Sequence, residues 1–284
     1  MPQTHATSIT ANVDTCTPIV LTIAGSDSGG GAGIQADIKA ISATGSYACS
    51  VITAITAQNT QGVSAIFPIP LEHVAHQLDA VFSDLNVVAV KIGMLADSAI
   101  IDVVADKLEQ YQPQFTVLDP VMVATSGDLL LAREAIATLK QRLIPLADLI
   151  TPNLPEGAAL TGSPIPHDEE QMGSMIHSLR QLGAKAILLK GGHLEGDENS
   201  NDLFIQPDTV SVLYAKRIAT HNTHGTGCTL SAAIASYLAQ GESLESAVAK
   251  AKHYISQAIG HADELSIGHG HGPVHHFFAY NRER

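Results

Sequence analysis

The stretch IVLTIAGSDSGGGAGIQADIKAISA, residues 19–43, decides the fold. Ile19–Ala24 is a short, continuous apolar run of the kind a strand buried on both faces requires, and Ile34–Ala43 carries helical periodicity. Between them, Gly25–Gly33 places five glycines in nine residues. Glycine permits positive φ and lets a backbone approach a ligand closely. The spacing lacks the Gly-Lys-Ser/Thr of a P-loop and misses GxGxxG. This segment therefore reads as strand, ligand-facing turn and helix, against the plainer alternative of a flexible connection.

Working outward, the same alternation repeats. Strand-like runs fall at Val51–Ala57, Val87–Ile92, Phe115–Leu118, Leu149–Ile150 and Ala186–Lys190. A polar-flanked hairpin is expected over Leu203–Gln206 and Val210–Ala215. Helical stretches fall at Leu71–Phe82, Ser98–Glu109, Ala132–Leu143, Cys228–Ala239 and from Ser243 to about His261. Apolar strands alternating with helices predict an α/β fold: three layers, a mostly parallel central sheet and helices on both faces. No linker, repeat or composition shift divides the chain. The reading is one domain over 18–284, preceded by a loose polar tail at 1–17 without the apolar core of a signal peptide.

Composition narrows the function. Fifteen basic against 28 acidic residues give a net charge of −13, the wrong sign for a general nucleic-acid or anionic-membrane binder. A phosphorylated ligand stays open, because backbone N–H groups bind phosphate without net positive charge. No apolar run approaches the ~20 residues of a membrane span. Three scattered cysteines, Cys16, Cys49 and Cys228, form no disulfide framework or zinc motif, and a cytoplasmic location is expected.

In a parallel sheet, ligands bind beyond the carboxyl ends of the strands. Gly25-Ser26-Asp27, Gln58-Asn59, Lys91–Met94, Asp119-Pro120, Thr151–Asn153 and Lys190–Gly192 all follow strand runs. Asn222–Thr229, NTHGTGCT, leads into an amphipathic helix. There Gly225, Thr226 and Gly227 can aim successive N–H groups at one point, and the helix start adds positive potential. Such an anion hole suits charge on a transferred phosphoryl group. Cys228 lies in the first turn, where the same field is expected to lower its pKa and make it a proton acceptor. Cys49 reads as a small packed thiol.

Asp119 and Glu156 are candidate carboxylates for a nucleotide-bound Mg²⁺, although Glu156 fits a solvated helix-start residue equally well. Lys190 ends an apolar strand and reads as a phosphate contact. The C-terminal GHGHGPVHHFF places His269, His271, His275 and His276 together. It lacks a carboxylate or cysteine at a convincing ligand spacing and reads as a packed tail rather than a metal site.

Taken together, LTIAGSDSGGGAGIQADIKA, CSVITAITAQNTQGV, VKIGMLAD, VLDPVM, SGDLLL, LITPNLPEGAAL, LLKGGH, NTHGTGCTLSAAIA and GHGHGPVHHF closely resemble the hydroxymethylpyrimidine/phosphomethylpyrimidine kinases of thiamine biosynthesis, in the ribokinase-like superfamily. The likeness runs from about residue 18 to 278. It implies a usually homodimeric enzyme that transfers the ATP γ-phosphoryl group to 4-amino-5-hydroxymethyl-2-methylpyrimidine and then phosphorylates the monophosphate to the pyrophosphate. It also implies that Gln58 reads the aminopyrimidine edge and that Gly25, Asp37, Met94 and Val121 line its pocket. Cys228 becomes the base, and Gly225 and Gly227 belong to the anion hole. Lys190, Asn153, Glu156 and Asp119 fall on the nucleotide and Mg²⁺ side. The nearest alternative is a pyridoxine or pyridoxal kinase of the same superfamily. A non-catalytic sensor should have lost an anion-hole or charged residue, and none is missing.

Overall fold

The computed structural model describes residues 17–124, 127, 130–132, 134–194 and 198–280. The expected tail, apart from Thr17, lies outside them, as do Ser126, Asp128 and Leu129 of the SGDLLL stretch.

Nine strands form one sheet in the order β3-β2-β1-β4-β5-β6-β7-β8-β9. β1 (Ile19–Asp27), β2 (Tyr47–Asn59), β4 (Ala89–Ile92), β5 (Phe115–Leu118), β6 (Leu149–Ile150) and β7 (Ile187–Leu189) run parallel. β8 (Asp202–Ile205) and β9 (Val210–Leu213) form the expected hairpin at one edge, antiparallel to β7. The other edge is β3 (Gly62–Pro68), antiparallel to β2. Sequence reading missed β3 because it is largely exposed and shows no alternation of buried and open residues.

The helices are α1 (Gly33–Ala43), α2 (Leu71–Asp84), α3 (Ser98–Tyr111), α4 (Ala135–Thr138), α5 (Leu154–Thr161), α6 (Glu169–Ser174), α7 (Ile176–Arg180), α8 (Thr226–Ala239) and α9 (Leu244–Gly260). α1, α8 and α9 bury Ile41, Leu230, Ile234 and Val248 against one sheet face, with Val20, Val117 and Leu149. The other face, with Leu21, Ile23, Val90 and Ile92, takes α2, α3 and the segments after them through Leu78, Ile101, Val104 and Leu143. Each such side chain contributes about 1.5–3 kcal/mol by leaving water. The three layers are as expected.

Two helical expectations need correction. Ala132–Leu143 is α-helical only over α4. It continues as a π turn, Leu139–Leu143, and a 3₁₀ turn, Ile144–Leu146. Pro145 has no N–H to give the Gln141 carbonyl, so the α ladder cannot run on. Conversely, α6 and α7 were not foreseen, and α5 was read only as a helix start at Glu156, though it advertises itself: Asn153-Leu154-Pro155-Glu156 forms a capping box with proline in the first turn. β1 has both β2 and β4 as neighbours, so the strand order switches there and opens a crevice at the carboxyl ends.

Candidate active site

The glycine-rich turn after β1 is organised by one carboxylate. Asp27 accepts N–H groups from Gly29 (2.8 Å), Gly31 (3.0 Å) and Ala32 (2.8 Å), and meets His224 Nε2 at 2.8 Å. Burial opposes its charge, but the His224 contact and these amides hold its pKa below the ordinary carboxylate value. His224 begins the His-Gly-Thr-Gly-Cys turn, so Asp27 ties the two glycine loops together. Their contact demands glycine: a Cβ on Gly225, whose φ is +78°, would lie 1.8 Å from the Gly31 carbonyl oxygen.

Gly225 is the N-cap of α8. Thr226 spends its N–H on the Thr223 carbonyl, while Gly227 and Cys228 fall in the first turn, where amides have no intrahelical acceptor. Facing this helix start are Lys190 and Asp119. A Cβ on Gly227 would lie 3.2 Å from Lys190 Nζ and 3.4 Å from Asp119 Oδ2. Asp119, at the end of β5, accepts from Lys190 Nζ and the Thr151 hydroxyl, both at 2.9 Å. Burial works against both charges. It is outweighed at Lys190 by Asp119 and Glu156, which raise its pKa, and at Asp119 chiefly by Lys190 and Lys91, which lower it.

Glu156 closes the capping box, its Oε2 accepting from the Asn153 N–H at 2.8 Å. It is buried rather than a solvated helix-start residue, so that alternative is removed. Burial pushes its carboxyl up to about 7; Lys190 opposes the rise and Asp119 adds to it. A buried carboxylate beside a second one is a setting that a divalent cation relieves. The chemistry of this donor pair therefore fits Mg²⁺.

A cavity of about 860 Å³ joins these groups. Its lining includes Gly25, Gln58, Met94 and Val121, and the helix start with Cys228, Asp119, Lys190, Asn153 and Glu156. Ile218, Ile255 and Ile259, with Lys216 and Lys252, also line it. Gln58 Oε1 sits 3.0 Å from the Thr56 hydroxyl, which holds the amide at the wall.

Two sequence expectations fail here. Asp37 does not line the cavity. It lies under the floor, fully buried, with Oδ2 taking the Thr22 hydroxyl at 2.6 Å and Lys91 Nζ at 2.9 Å. Its position on the inward face of α1, against β1 and β4, gave it this structural place. Cys228 is not a depressed thiol either. Burial pushes it up to about 11, and the approach of Lys91 only partly offsets this. Desolvation exceeds the field of the helix start.

Sequence reasoning placed Asp27 and Lys91 at strand ends and His224 in the turn before α8, but gave none of the three a role. Asp27 carried a signal, an acidic residue inside a glycine-rich turn, where a carboxylate can gather loop amides. Lys91, in the middle of an apolar strand, was a second. Among the described residues, no group of three or more His, Cys, Asp or Glu could hold a metal, and no helix is long and apolar enough to cross a membrane.

Known proteins share this arrangement. The family described as Phosphomethylpyrimidine kinase matches residues 27–275. The hydroxymethylpyrimidine/phosphomethylpyrimidine kinase of Rhizobium meliloti is 56% identical over 92% of this chain and 97% of its own. A crystal structure of phosphomethylpyrimidine kinase from Clostridium difficile is 46% identical, with a TM-score of 0.74 over 85% of this chain and 99% of that one. The ADP complex of Bacillus subtilis pyridoxal kinase is 34% identical, with a TM-score of 0.86 over 94% of this chain and 100% of that one. The fold is thus ribokinase-like. Matched along most of its length in both sequence and architecture, the chain belongs to the phosphomethylpyrimidine kinase family.

Proposed function

We propose that this chain transfers the γ-phosphoryl group of ATP to the hydroxymethyl of 4-amino-5-hydroxymethyl-2-methylpyrimidine, and then phosphorylates the monophosphate to the pyrophosphate, supplying thiamine synthesis. The observation that carries the reading is a single cavity lined both by the Gln58 amide and by a helix start facing Lys190.

The ring binds against Gly25, Met94 and Val121, with the Gln58 amide on its aminopyrimidine edge. Its hydroxymethyl then points toward Cys228. ATP enters from the other end, with the base against Ile218, Ile255 and Ile259 and the phosphates toward Lys190. Gly225, Thr226 and Gly227 shape the hole, and the amides of Gly227 and Cys228 with the Lys190 ammonium take up charge on the migrating group. Phosphoryl transfer runs through a loose transition state, so positioning and charge stabilisation dominate. Glu156 and Asp119 would hold Mg²⁺, with Asn153 fixing Glu156 through the capping box. When bound, Mg²⁺ neutralises phosphate charge and orients the phosphates.

Cys228 acts in its thiolate form, with Lys91 as counter-charge, and takes the hydroxyl proton. Because burial keeps that form scarce at neutral pH, turnover rises with pH toward 11.

Residues 18–284 act as one domain, and the enzyme works as a cytoplasmic homodimer on a small-molecule substrate. Parallel assays with the aminopyrimidine alcohol and with pyridoxal test the substrate. Turnover of the former at much higher kcat/KM is expected; the reverse order would replace this reading with that of a pyridoxal kinase.

A further inference from the structure

Residues Gly268–Pro273, GHGHGP, take no part in the chemistry above, yet they touch both of its ends. Thr60 sits at the turn between β2 and β3, two residues beyond Gln58. Its carbonyl accepts the His271 N–H at 2.9 Å, and its hydroxyl lies 3.2 Å from the N–H groups of His269 and Gly270. The contact is close enough to require glycine. A Cβ on Gly268 would lie 2.2 Å from Thr60 Oγ1, and one on Gly270 would lie 2.1 Å from the Thr60 carbonyl oxygen.

Further along, the same segment holds the other loop. The Gly272 N–H donates to Asn222 Oδ1 at 3.1 Å, and the Gly272 carbonyl accepts from the His224 N–H at 3.0 Å. His224 immediately precedes the N-cap of α8. The histidine side chains serve the same anchoring. His271 Nδ1 reaches the His221 carbonyl at 3.2 Å, and buried His276 meets the Thr229 hydroxyl of α8 at 2.9 Å.

We infer that Gly268–Pro273 is a strap between the two ends of the site, and that Thr60 is a positioning residue for the substrate alcohol. Among the described residues, β3 is an edge strand paired with β2 alone. Beyond its pairing with β2, the hairpin tip is held from two sides: Ser28 of the loop after β1 bonds the Gln58 carbonyl and N–H at 2.8 and 2.9 Å, and the strap holds Thr60. Fixing that tip relative to the loop before α8 fixes the distance between the ring-reading amide and the phosphoryl-holding helix. The inference rests on the roles given above to Gln58 and the α8 start.

The test compares Thr60→Val, which keeps volume and loses the acceptor, with Thr60→Ser, which keeps it. Gly270→Val forces the strap off the hairpin, and Gln58→Ala is run beside them. Steady-state kinetics are read together with amide exchange at residues 56–62 of the unliganded protein and with thermal melting. Thr60→Val is expected to raise KM for the alcohol by about two- to tenfold, as loss of one or two hydrogen bonds does. ATP KM stays unchanged, and the hairpin exchanges faster. Thr60→Ser behaves as wild type, and Gly270→Val moves the same quantities further.

Unchanged alcohol KM and exchange in Thr60→Val and Gly270→Val, beside a sensitive Gln58→Ala, would overturn the strap alone. A parallel rise in both KM values with a lower melting temperature would overturn it as well, since that marks general loosening. An insensitive Gln58→Ala overturns the underlying reading of Gln58 instead.

Discussion

Two lysine–aspartate pairs stand at the carboxyl ends of neighbouring parts of the sheet, each with N···O at 2.9 Å, and they do different work. Lys91–Asp37 has no exposed side-chain surface at all, whereas Lys190–Asp119 keeps 14% and 3%. The first pair lies between α1 and the sheet. The second opens on the cavity and faces the Gly227 backbone. Ion-pair geometry does not separate a structural pair from a functional one. What separates them is whether a ligand can reach the cation. The sealed pair is costly in its own way, since Asp37 Oδ1 is buried without a hydrogen-bond partner among the described residues.

The largest effect that sharpens this contrast is on stability. Lys91→Met leaves Asp37 buried and unpaired and should destabilise the fold by about 3–5 kcal/mol in urea titration. Lys91→Met combined with Asp37→Leu should recover most of that loss, because an apolar pair carries no desolvation cost. A double variant as unstable as the single one would mean that the pair stabilises the fold outright.

Lys190→Met should behave in the opposite sense. Stability falls less than in Lys91→Met, since Asp119 keeps the Thr151 hydroxyl and a path to solvent through the cavity, while kcat falls about 10²–10³-fold, the usual effect of removing one donor from a charge-stabilising site. If instead Lys190→Met unfolds the protein and Lys91→Met merely slows it, the two assignments are reversed.

Cys228 lies where the two pairs converge. Cys228→Ala should lose about 10² in kcat, at the low end of general-base contributions, while retaining pyrimidine binding. The sign of the pH dependence follows from the raised thiol. The thiolate gains population as pH climbs from 7 toward about 11, so wild-type kcat should climb with it, and the profile of Cys228→Ala should be flat. A wild-type profile already level at pH 7 would show that no thiol with a raised pKa needs to ionise. The smallest effect belongs to the ring-reading amide. Gln58→Ala should weaken alcohol binding by about 1–3 kcal/mol, read as a higher KM with kcat little altered.

How much of this was legible in the sequence differs between the same two pairs. Lys190 and Asp119 each follow a short apolar run, and the rule that ligands meet strand ends was enough to bring them together. Gln58 and Met94 were found the same way, the Gly225–Cys228 turn by its glycines at a helix start, and Val121 only through the family resemblance. Asp37 was misplaced because a helix residue's facing depends on how the helix settles on the sheet, which no local pattern records. The Cys228 shift was misjudged because the helix-start field is visible in sequence and the desolvation opposing it is not. β3 left no periodic trace, being exposed along most of its length. The Pro145 interruption and the Asn153–Glu156 capping box did leave traces in the chain, and local rules applied residue by residue would have read both.

The central claim is that one cavity lets a helix start and Lys190 hold a phosphoryl group in transit to a small aminopyrimidine alcohol. Its most direct test is to incubate the protein with Mg·ATP and 4-amino-5-hydroxymethyl-2-methylpyrimidine and to follow products by mass. The expected result is a monophosphate that appears first and is then converted to the pyrophosphate, both lost in Lys190→Met. ATP consumed with no phosphorylated pyrimidine, or the same products at full rate from Lys190→Met, would contradict it.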